Sequence, residues 1–143
     1  MRIVAISVFF VVSVLTPPAA GTAATGFAAA RRANTFPTQL AGRWTRTVTK
    51  ADVKRTGGYG IPAGTVCTLT IKNGGVAHLH TTTVGDFDGS LAQAGPDRVH
   101  ILLGLSDPDL YQWRVSGSLL TFTKLKDTVG DRKAVMEGIW KRK

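Results

Sequence analysis

The sequence has one cysteine among its 143 residues, which excludes an internal disulfide. A domain of this size must be stabilised without a cross-link, and its stability will be modest unless its sheet closes on itself. Cys67 lies in an alternating polar and apolar stretch, where we expect it to be buried as a small apolar residue. The alternative is a free thiol that pairs with another chain.

Acidic residues are also few, since 9 Asp and Glu stand against 18 Lys and Arg, for a formal net charge of +9. This excess favours anionic partners such as cell-wall polymers, lipid headgroups, nucleic acid or acidic ligands. Basic and aromatic residues do not interleave, so we expect no specific nucleic acid partner. A basic cluster in the final third predicts one positive edge that binds an anionic cell-surface polymer, with an ordinary solvated surface as the alternative. The cluster consists of Lys124, Lys126, Lys133, Lys141, Arg142 and Lys143.

Sequence motifs of catalysis are missing as well. There is no Gly-x-Ser-x-Gly nucleophile turn and no phosphate-binding loop followed by Lys-Ser or Lys-Thr. The stretch Asp86-x-Asp88-Gly89 is too short for a calcium loop, because the later ligands and the bidentate Glu are absent. We therefore expect neither an enzyme nor a cofactor.

Three histidines are the candidates for a metal site. His78 and His80 share one face of a strand, and His100 on another strand could complete a three-histidine zinc site. However, the apolar Leu79 lies between the first two, and Val99 and Ile101 flank the third. This alternation places all three imidazoles on the solvent side, so we expect no metal, although the sequence leaves the question open.

The N-terminus has the pattern of a secretory signal peptide, assigned to residues 1–24. Met1 and Arg2 precede a mostly apolar run, Ile3 to Leu15, which is too short for a membrane span and is followed by small residues. Cleavage after Ala20, Ala23 or Ala24 is compatible with the sequence. Residues 25–37 are expected to be a flexible mature N-terminus, and residues 38–143 a single secreted domain.

The domain sequence predicts about eight short strands joined mostly by tight turns. Alternating apolar residues, the hairpin signal Asn73-Gly74 and repeated Gly and Pro indicate an all-β fold. Consecutive hairpins favour an eight-stranded antiparallel up-and-down barrel with short helical turns in its loops, including one at 50–55. The predicted strands are 40–49, 65–72, 76–84, 90–94, 98–103, 110–115, 119–126 and 133–141, with residues 85–89 as a turn.

The first of these strands carries a Gly-x-Trp sequence, Gly42-x-Trp44. Gly within a strand lets a large ring approach closely, so this Trp can plug the end of a closed sheet. Together with the hairpin order and a last strand ending in Ile139 to Lys143, this resembles the lipocalin-type (calycin) barrels, in particular the small bacterial exported kind. The chain lacks the long C-terminal helix, the disulfide pair and the central Thr-Asp-Tyr motif of larger lipocalins.

The resemblance implies a contact and a function. In calycins a basic side chain from near the chain end packs across the Trp of the first strand, and here Arg142 or Arg132 suits this better than Lys141, because Arg stacks flat. The implied function is non-covalent binding of a small, partly apolar molecule in the barrel of a secreted, monomeric or weakly associating protein. The alternative is an interaction module with a filled core that acts through its basic surface.

Candidate ligand-binding residues are those expected to point inward or to cover the mouth. Arg46 shares a face with Trp44, and an inward charge needs a partner, such as Glu137 or a ligand carboxylate. Tyr59 and Ile61, in the Gly/Pro-rich loop 56–64, are candidate lid residues. The predicted ligand-binding set is Arg46, Tyr59, Leu69, Leu79, Ile101, Tyr111, Trp113 and Phe122, and the predicted structural set is Gly42, Trp44, Arg132 and Arg142.

Overall fold

The computed structural model describes residues 36–58, 60–104 and 107–143. Eight antiparallel strands pair in sequence order, and the last pairs with the first to close a barrel. The predicted eight-stranded antiparallel architecture is therefore confirmed. The predicted signal peptide and almost all of the predicted flexible segment lie outside the described residues. The strands are β1 (Gly42–Thr47), β2 (Val66–Ile71), β3 (Val76–Thr81), β4 (Gly85–Gly95), β5 (Arg98–Leu103), β6 (Asp109–Ser116), β7 (Leu119–Lys126) and β8 (Gly138–Arg142).

Three short helices accompany the barrel. A 3₁₀ helix, Thr38–Leu40, precedes β1; helix α1 (Lys50–Thr56) follows it, and helix α2 (Gly130–Met136) precedes β8. The 3₁₀ helix lies at the end of the barrel where β1 begins and β8 finishes, called the closed end below. The two α-helices contact each other at the opposite end, called the mouth. In the part of the chain that the structure describes, no helix has the length and apolar character needed to cross a membrane.

Two sequence-based expectations about strands are wrong. Residues 133–136 form the second half of α2, because Ala134, Val135 and Met136 are consecutively buried, which a strand with one inward face cannot achieve. The helix ends at Met136, with Glu137 as its C-terminal cap, and β8 begins only at Gly138. Residues 85–89 are not a turn but the start of β4, paired with residues 77–81 of β3.

The closed end is plugged by Trp44 and covered by Arg142. The Trp44 indole N–H donates to the carbonyl of Leu40 at 2.9 Å, which ties the 3₁₀ helix beneath the barrel. The Arg142 guanidinium carbon lies 4.3 Å from the centre of the Trp44 ring. Gly42, with φ of 140°, allows this approach, since a Cβ there would lie 3.0 Å from Arg142 Nη1. Arg132, the other candidate for this contact, lies at the mouth.

Large side chains pack inside the barrel. Tyr111 and Phe122 meet edge to face with ring centres 6.2 Å apart, and the Trp140 indole N–H donates to the Met136 carbonyl at 3.0 Å. Cys67 is fully buried, and this burial raises the pKa of its thiol to about 11 against the opposing charge of Arg46. The largest fully buried side chains are Trp44, Trp140, Tyr111, Phe122, Leu40, Leu69, Ile101, Leu120 and Met136.

Candidate functional site

Helix α1 is fixed at the mouth by its end residues. The Thr49 hydroxyl accepts a hydrogen bond from the Asp52 backbone N–H at 3.1 Å, and the Asp52 carboxylate accepts one from the Thr49 N–H at 2.9 Å. This capping box satisfies backbone donors that the first helical turn leaves without partners. The helix ends at Gly57, whose φ of 68° reverses the chain. The helix is thereby held directly after β1.

Arg46 joins both mouth helices to the barrel. Its guanidinium contacts the Asp52 carboxylate in α1 at 2.7 Å and donates to the carbonyl of Val135 in α2 at 2.9 Å and to the carbonyl of Glu137. The ionic partner of this inward charge is thus Asp52, whereas the Glu137 carboxylate pairs with Arg55 at 2.7 Å. Arg46 is 8% exposed, and its role in this arrangement is structural, because it connects β1 to both mouth helices.

This network also shifts the pKa of Asp52. Burial alone raises the pKa of this carboxyl, but hydrogen bonds from Thr49 and Arg55 and the charge of Arg46 outweigh it, so the pKa of Asp52 lies below its ordinary value. Arg55 contacts the same carboxylate at 3.0 Å. Asp52 is therefore ionised at neutral pH and holds the two arginines together.

The loop after α1 packs tightly on α2 because it contains glycine. A Cβ on Gly58 would lie 2.6 Å from the Cβ of Ala134, and one on Gly60 would lie 2.4 Å from an Asp131 carboxylate oxygen. That carboxylate accepts a hydrogen bond from the Gly60 N–H at 2.9 Å. Helix α2 is consequently inserted between this loop and the barrel wall.

A cleft of about 260 Å³ remains between α2 and the walls formed by β3, β4 and β5. Its lining is mainly aliphatic and aromatic, with two charged side chains at its border. Such a composition suits an apolar molecule oriented by a small number of polar groups. The lining consists of Ile61, Leu79, Val84, Phe87, Leu103, Val129, Asp131, Arg132, Val135 and Met136.

A buried polar cluster lies beside the cleft. The Arg132 guanidinium contacts the Asp109 carboxylate, lies 3.3 Å from Asp127 through Nε and donates to the Asp107 carbonyl at 2.9 Å. The Tyr111 hydroxyl donates to Asp127. Burial lowers the pKa of Arg132, partly offset by the charge of Asp107. Burial, the hydrogen bond to Asp127 and nearby carboxylate charge raise the pKa of Tyr111, so its hydroxyl stays protonated.

The predicted ligand-binding residues do not form one site. Leu79 lines the cleft, while Leu69, Ile101, Tyr111 and Phe122 are buried among the packed side chains of the interior. Arg46 does not line the cleft, and it connects β1 to the two mouth helices as described above. Trp113 is half-buried, and its buried Nε1 has no hydrogen-bond partner within the described ranges. Tyr59 lies outside the described residues.

Several cleft residues are not predicted by reasoning from the sequence. Val135 falls in a predicted strand, and Val129 in the predicted turn before it, so their convergence on Leu79 could not be inferred. Phe87 was placed in a turn between Asp86 and Asp88, although it pairs with Leu79 across β3 and β4. The available signal was the spacing of Arg132, Val135 and Met136, which suits one face of a helix.

The histidines lie on the outer surface. His78 and His80 are about half exposed, and their Nδ1 atoms lie 2.8 Å from Asp88 and 2.6 Å from Asp86. His100 is exposed on β5, opposite Ala92. Within the described part of the chain, no three His, Cys, Asp or Glu side chains are placed to hold a metal ion.

The predicted single positive edge is also corrected by the strand register. Lys141 pairs with Leu119 at the start of β7, whereas Lys126 pairs with Leu110 at the other end of that strand. Lys124, Lys126 and Lys133 therefore lie towards the mouth, and Lys141 to Lys143 lie at the closed end.

Comparison of the chain with models of known protein families, with curated proteins and with solved structures gives no match. The protein is therefore classified by its architecture alone. It is an all-β, eight-stranded antiparallel closed barrel with two short α-helices at its mouth.

Proposed function

We propose that the protein is a lipocalin-like carrier, which binds a small, mainly apolar molecule non-covalently in the cleft at the barrel mouth. The observation that carries the proposal is the 260 Å³ cleft with its aliphatic and aromatic lining. The Arg142 contact with Trp44 supports the lipocalin resemblance, since a cation from the chain end covers the first-strand indole. Secretion, and membership of the small bacterial exported kind, are part of the same proposal.

The size of the cleft restricts the ligand. Its volume lies just below the range of about 300–1,000 Å³ that is usual for ligand pockets. An engineered apolar cavity of about 150 Å³ already binds benzene. The cleft therefore suits a single ring or a short alkyl chain rather than a large polycyclic molecule.

The charges around the cleft favour a neutral ligand. Arg132 already pairs with Asp109 and Asp127, so its positive charge is balanced by more than one carboxylate. The Asp131 carboxylate adds negative charge at the border. A ligand carboxylate would be repelled there, whereas a hydroxyl group could donate a hydrogen bond to Asp131. We infer an alcohol or similar neutral amphiphile.

Isothermal titration with a series of n-alkanols tests this proposal. Each added methylene should strengthen binding by about 0.8 kcal/mol, or roughly fourfold, until the chain exceeds the cleft. The alkanoates of equal length should bind more weakly. The proposal fails if no alkanol shows saturable binding, and that result would favour the alternative of a filled-core interaction module.

A matched pair of variants locates the site. Val84→Trp places a bulky ring at a half-exposed cleft position, so it should fill the cleft and abolish alkanol binding. Val66→Trp is the control, because Val66 is similarly exposed but does not belong to the lining. Equal losses in both variants would contradict the assignment of the cleft as the binding site.

A further inference from the structure

Charge is distributed unevenly along the barrel. Eight of the 9 acidic residues lie on the mouth helices, on the mouth halves of β4 and β6 or in the connections at that end, and the same region carries an equal number of Lys and Arg residues. Among the described residues, Asp97, in the turn between β4 and β5, is the one acidic side chain at the closed end. The excess positive charge of the folded domain is thus concentrated at the closed end. Its basic residues are Arg43, Lys72, Arg98, Arg114, Lys141, Arg142 and Lys143.

Four of these side chains form a continuous group, here called the cationic rim: Arg43, Lys72, Lys141 and Lys143. The Lys143 N–H donates to the Arg43 carbonyl at 2.9 Å, and Lys141 lies opposite Thr45. Lys72 directly follows Ile71, the last residue of β2, which pairs with Gly42 of β1. The rim therefore runs over three adjacent strands, and all four residues are exposed.

Exposed apolar side chains lie beside the cationic rim. Val76 is 56% exposed, and its carbonyl accepts a hydrogen bond from the Lys72 N–H at 2.8 Å. Leu119 is 39% exposed and lies opposite Lys141. A surface that presents cations and apolar tips together matches the interface of a bilayer, where headgroups meet acyl chains.

We propose that the closed end binds the surface of a bilayer that contains anionic lipids, through the cationic rim, Val76 and Leu119. The 3₁₀ helix lies across the closed end, where the Trp44 indole N–H donates to the Leu40 carbonyl. Burial of the Val76 and Leu119 side chains in a bilayer interface is favourable, whereas a hydrated polyanion offers no apolar surface to bury them. In this orientation the mouth cleft faces away from the membrane. The proposal does not depend on the ligand proposed above.

The point at which the N-terminal segment joins the barrel supports this orientation. The ring of Phe36 lies against the turn at Gly75, since a Cβ on Gly75 would lie 3.0 Å from it. Phe36 therefore lies at the closed end. Two arginines precede it in the sequence, Arg31 and Arg32, and they follow every candidate cleavage position of the predicted signal peptide.

Co-sedimentation of the purified protein with phosphatidylglycerol-containing vesicles tests the proposal, with phosphatidylcholine vesicles as the comparison. Binding should require phosphatidylglycerol and weaken as salt is added, because exposed charges are screened. The triple variant K72E/K141E/K143E should bind at least about a hundredfold more weakly, from about 1 kcal/mol for each lysine near the surface. Melting temperatures would verify that each variant is folded.

Two controls separate a specific surface from net charge and from polymer binding. K50E/K54E/K126E makes the same charge change at exposed mouth positions and should bind phosphatidylglycerol vesicles nearly as the unmodified protein does. The double variant V76S/L119S should bind vesicles about tenfold more weakly, whereas its affinity for soluble polyphosphate should be unchanged. Equal losses in both triple variants, or binding to polyphosphate without binding to vesicles, would overturn the proposal.

Discussion

Arg142 holds the last strand against β1 and the 3₁₀ helix at the closed end. Its guanidinium covers the Trp44 ring and donates to the carbonyls of Gln39 at 3.2 Å and Ala41 at 3.4 Å. An Arg can do both because its planar group stacks on the indole while its N–H groups point to its edges. A Lys at this position would keep the charge but lose the fork of donors.

Replacement of Arg142 therefore tests this contact. We expect Arg142→Ala to lower the free energy of unfolding by about 1–2 kcal/mol, since cation–π contacts contribute about 0.5–2 kcal/mol. Arg142→Lys should lower the free energy of unfolding by less than Arg142→Ala does. Urea denaturation provides the measurement, and Lys141→Ala, which removes a neighbouring outward side chain, should change stability by less than about 0.5 kcal/mol. A loss in Lys141→Ala equal to that in Arg142→Ala would contradict this role.

Asp52 is the residue whose titration should affect stability in acid. Its pKa is lowered in the folded protein, so its stabilising contribution is fully present above the pKa of the unfolded chain. That contribution is lost as the pH falls through the lower folded-state pKa, and stability should therefore decline below about pH 4.

The variant Asp52→Asn isolates this effect. At neutral pH it should be destabilised by about 1–3 kcal/mol, because Arg46 loses its carboxylate partner while still buried. Its stability should then vary less between pH 5 and pH 2 than that of the unmodified protein. Denaturation at several pH values is the measurement, and an unchanged pH slope in the variant would show that other carboxylates dominate.

At the scale of elements, the mouth depends on how closely helix α2 and the loop after α1 approach. Gly58 lacks a positive φ, so its requirement for glycine is steric rather than conformational. A methyl group there would overlap Ala134 and lie 3.0 Å from the Gly130 carbonyl oxygen. The helix or the loop would have to shift to accommodate it.

Gly58→Ala should accordingly destabilise the protein by about 1–3 kcal/mol through overpacking. Gly95→Ala is the matched control, because it has no positive φ and its Cβ would meet Arg98 at an ordinary distance of 3.8 Å. Thermal unfolding compares the two variants. Similar melting temperatures for both variants would contradict the prediction, because they would show that the loop shifts to accommodate the methyl group without loss of stability.

The elements also show what the sequence could and could not predict. Strand alternation, the Asn73-Gly74 turn and the regular spacing predict the barrel, because these signals are local. The helix 130–136 could not be predicted in the same way, because Ala134, Met136 and Trp140 also fit a strand. Its conformation depends on burial in the mouth and on the carbonyl contacts to Arg46, which are made between distant parts of the chain.

The candidate site was predicted less well for the same reason. Inward-facing positions such as Leu69 and Ile101 were assigned correctly to the barrel interior, but the interior is occupied by side chains. Which interior space remains open depends on how α2 enters the mouth. The sequence gives the direction of a side chain on a strand, but not the volume that a distant helix leaves free.

At the scale of the whole molecule, the two ends of the barrel differ in chemistry. The closed end carries the cationic rim and is covered by the 3₁₀ helix, while the mouth has balanced charges, two helices and the apolar cleft. The filled interior separates them, so a ligand can enter only part of the barrel. The proposed carrier function therefore depends on the mouth, and the proposed membrane contact depends on the opposite end.

The most direct measurement is methyl NMR of the labelled protein during titration with an n-alkanol. Binding in the cleft predicts saturable shifts for the methyl groups of Leu79, Leu103 and Met136, with the methyl groups of Leu40 and Leu120 unchanged, because these are buried away from the cleft. Comparable shifts at Leu40 and Leu120, or no saturable shift at the mouth, would contradict a ligand site between helix α2 and the barrel wall.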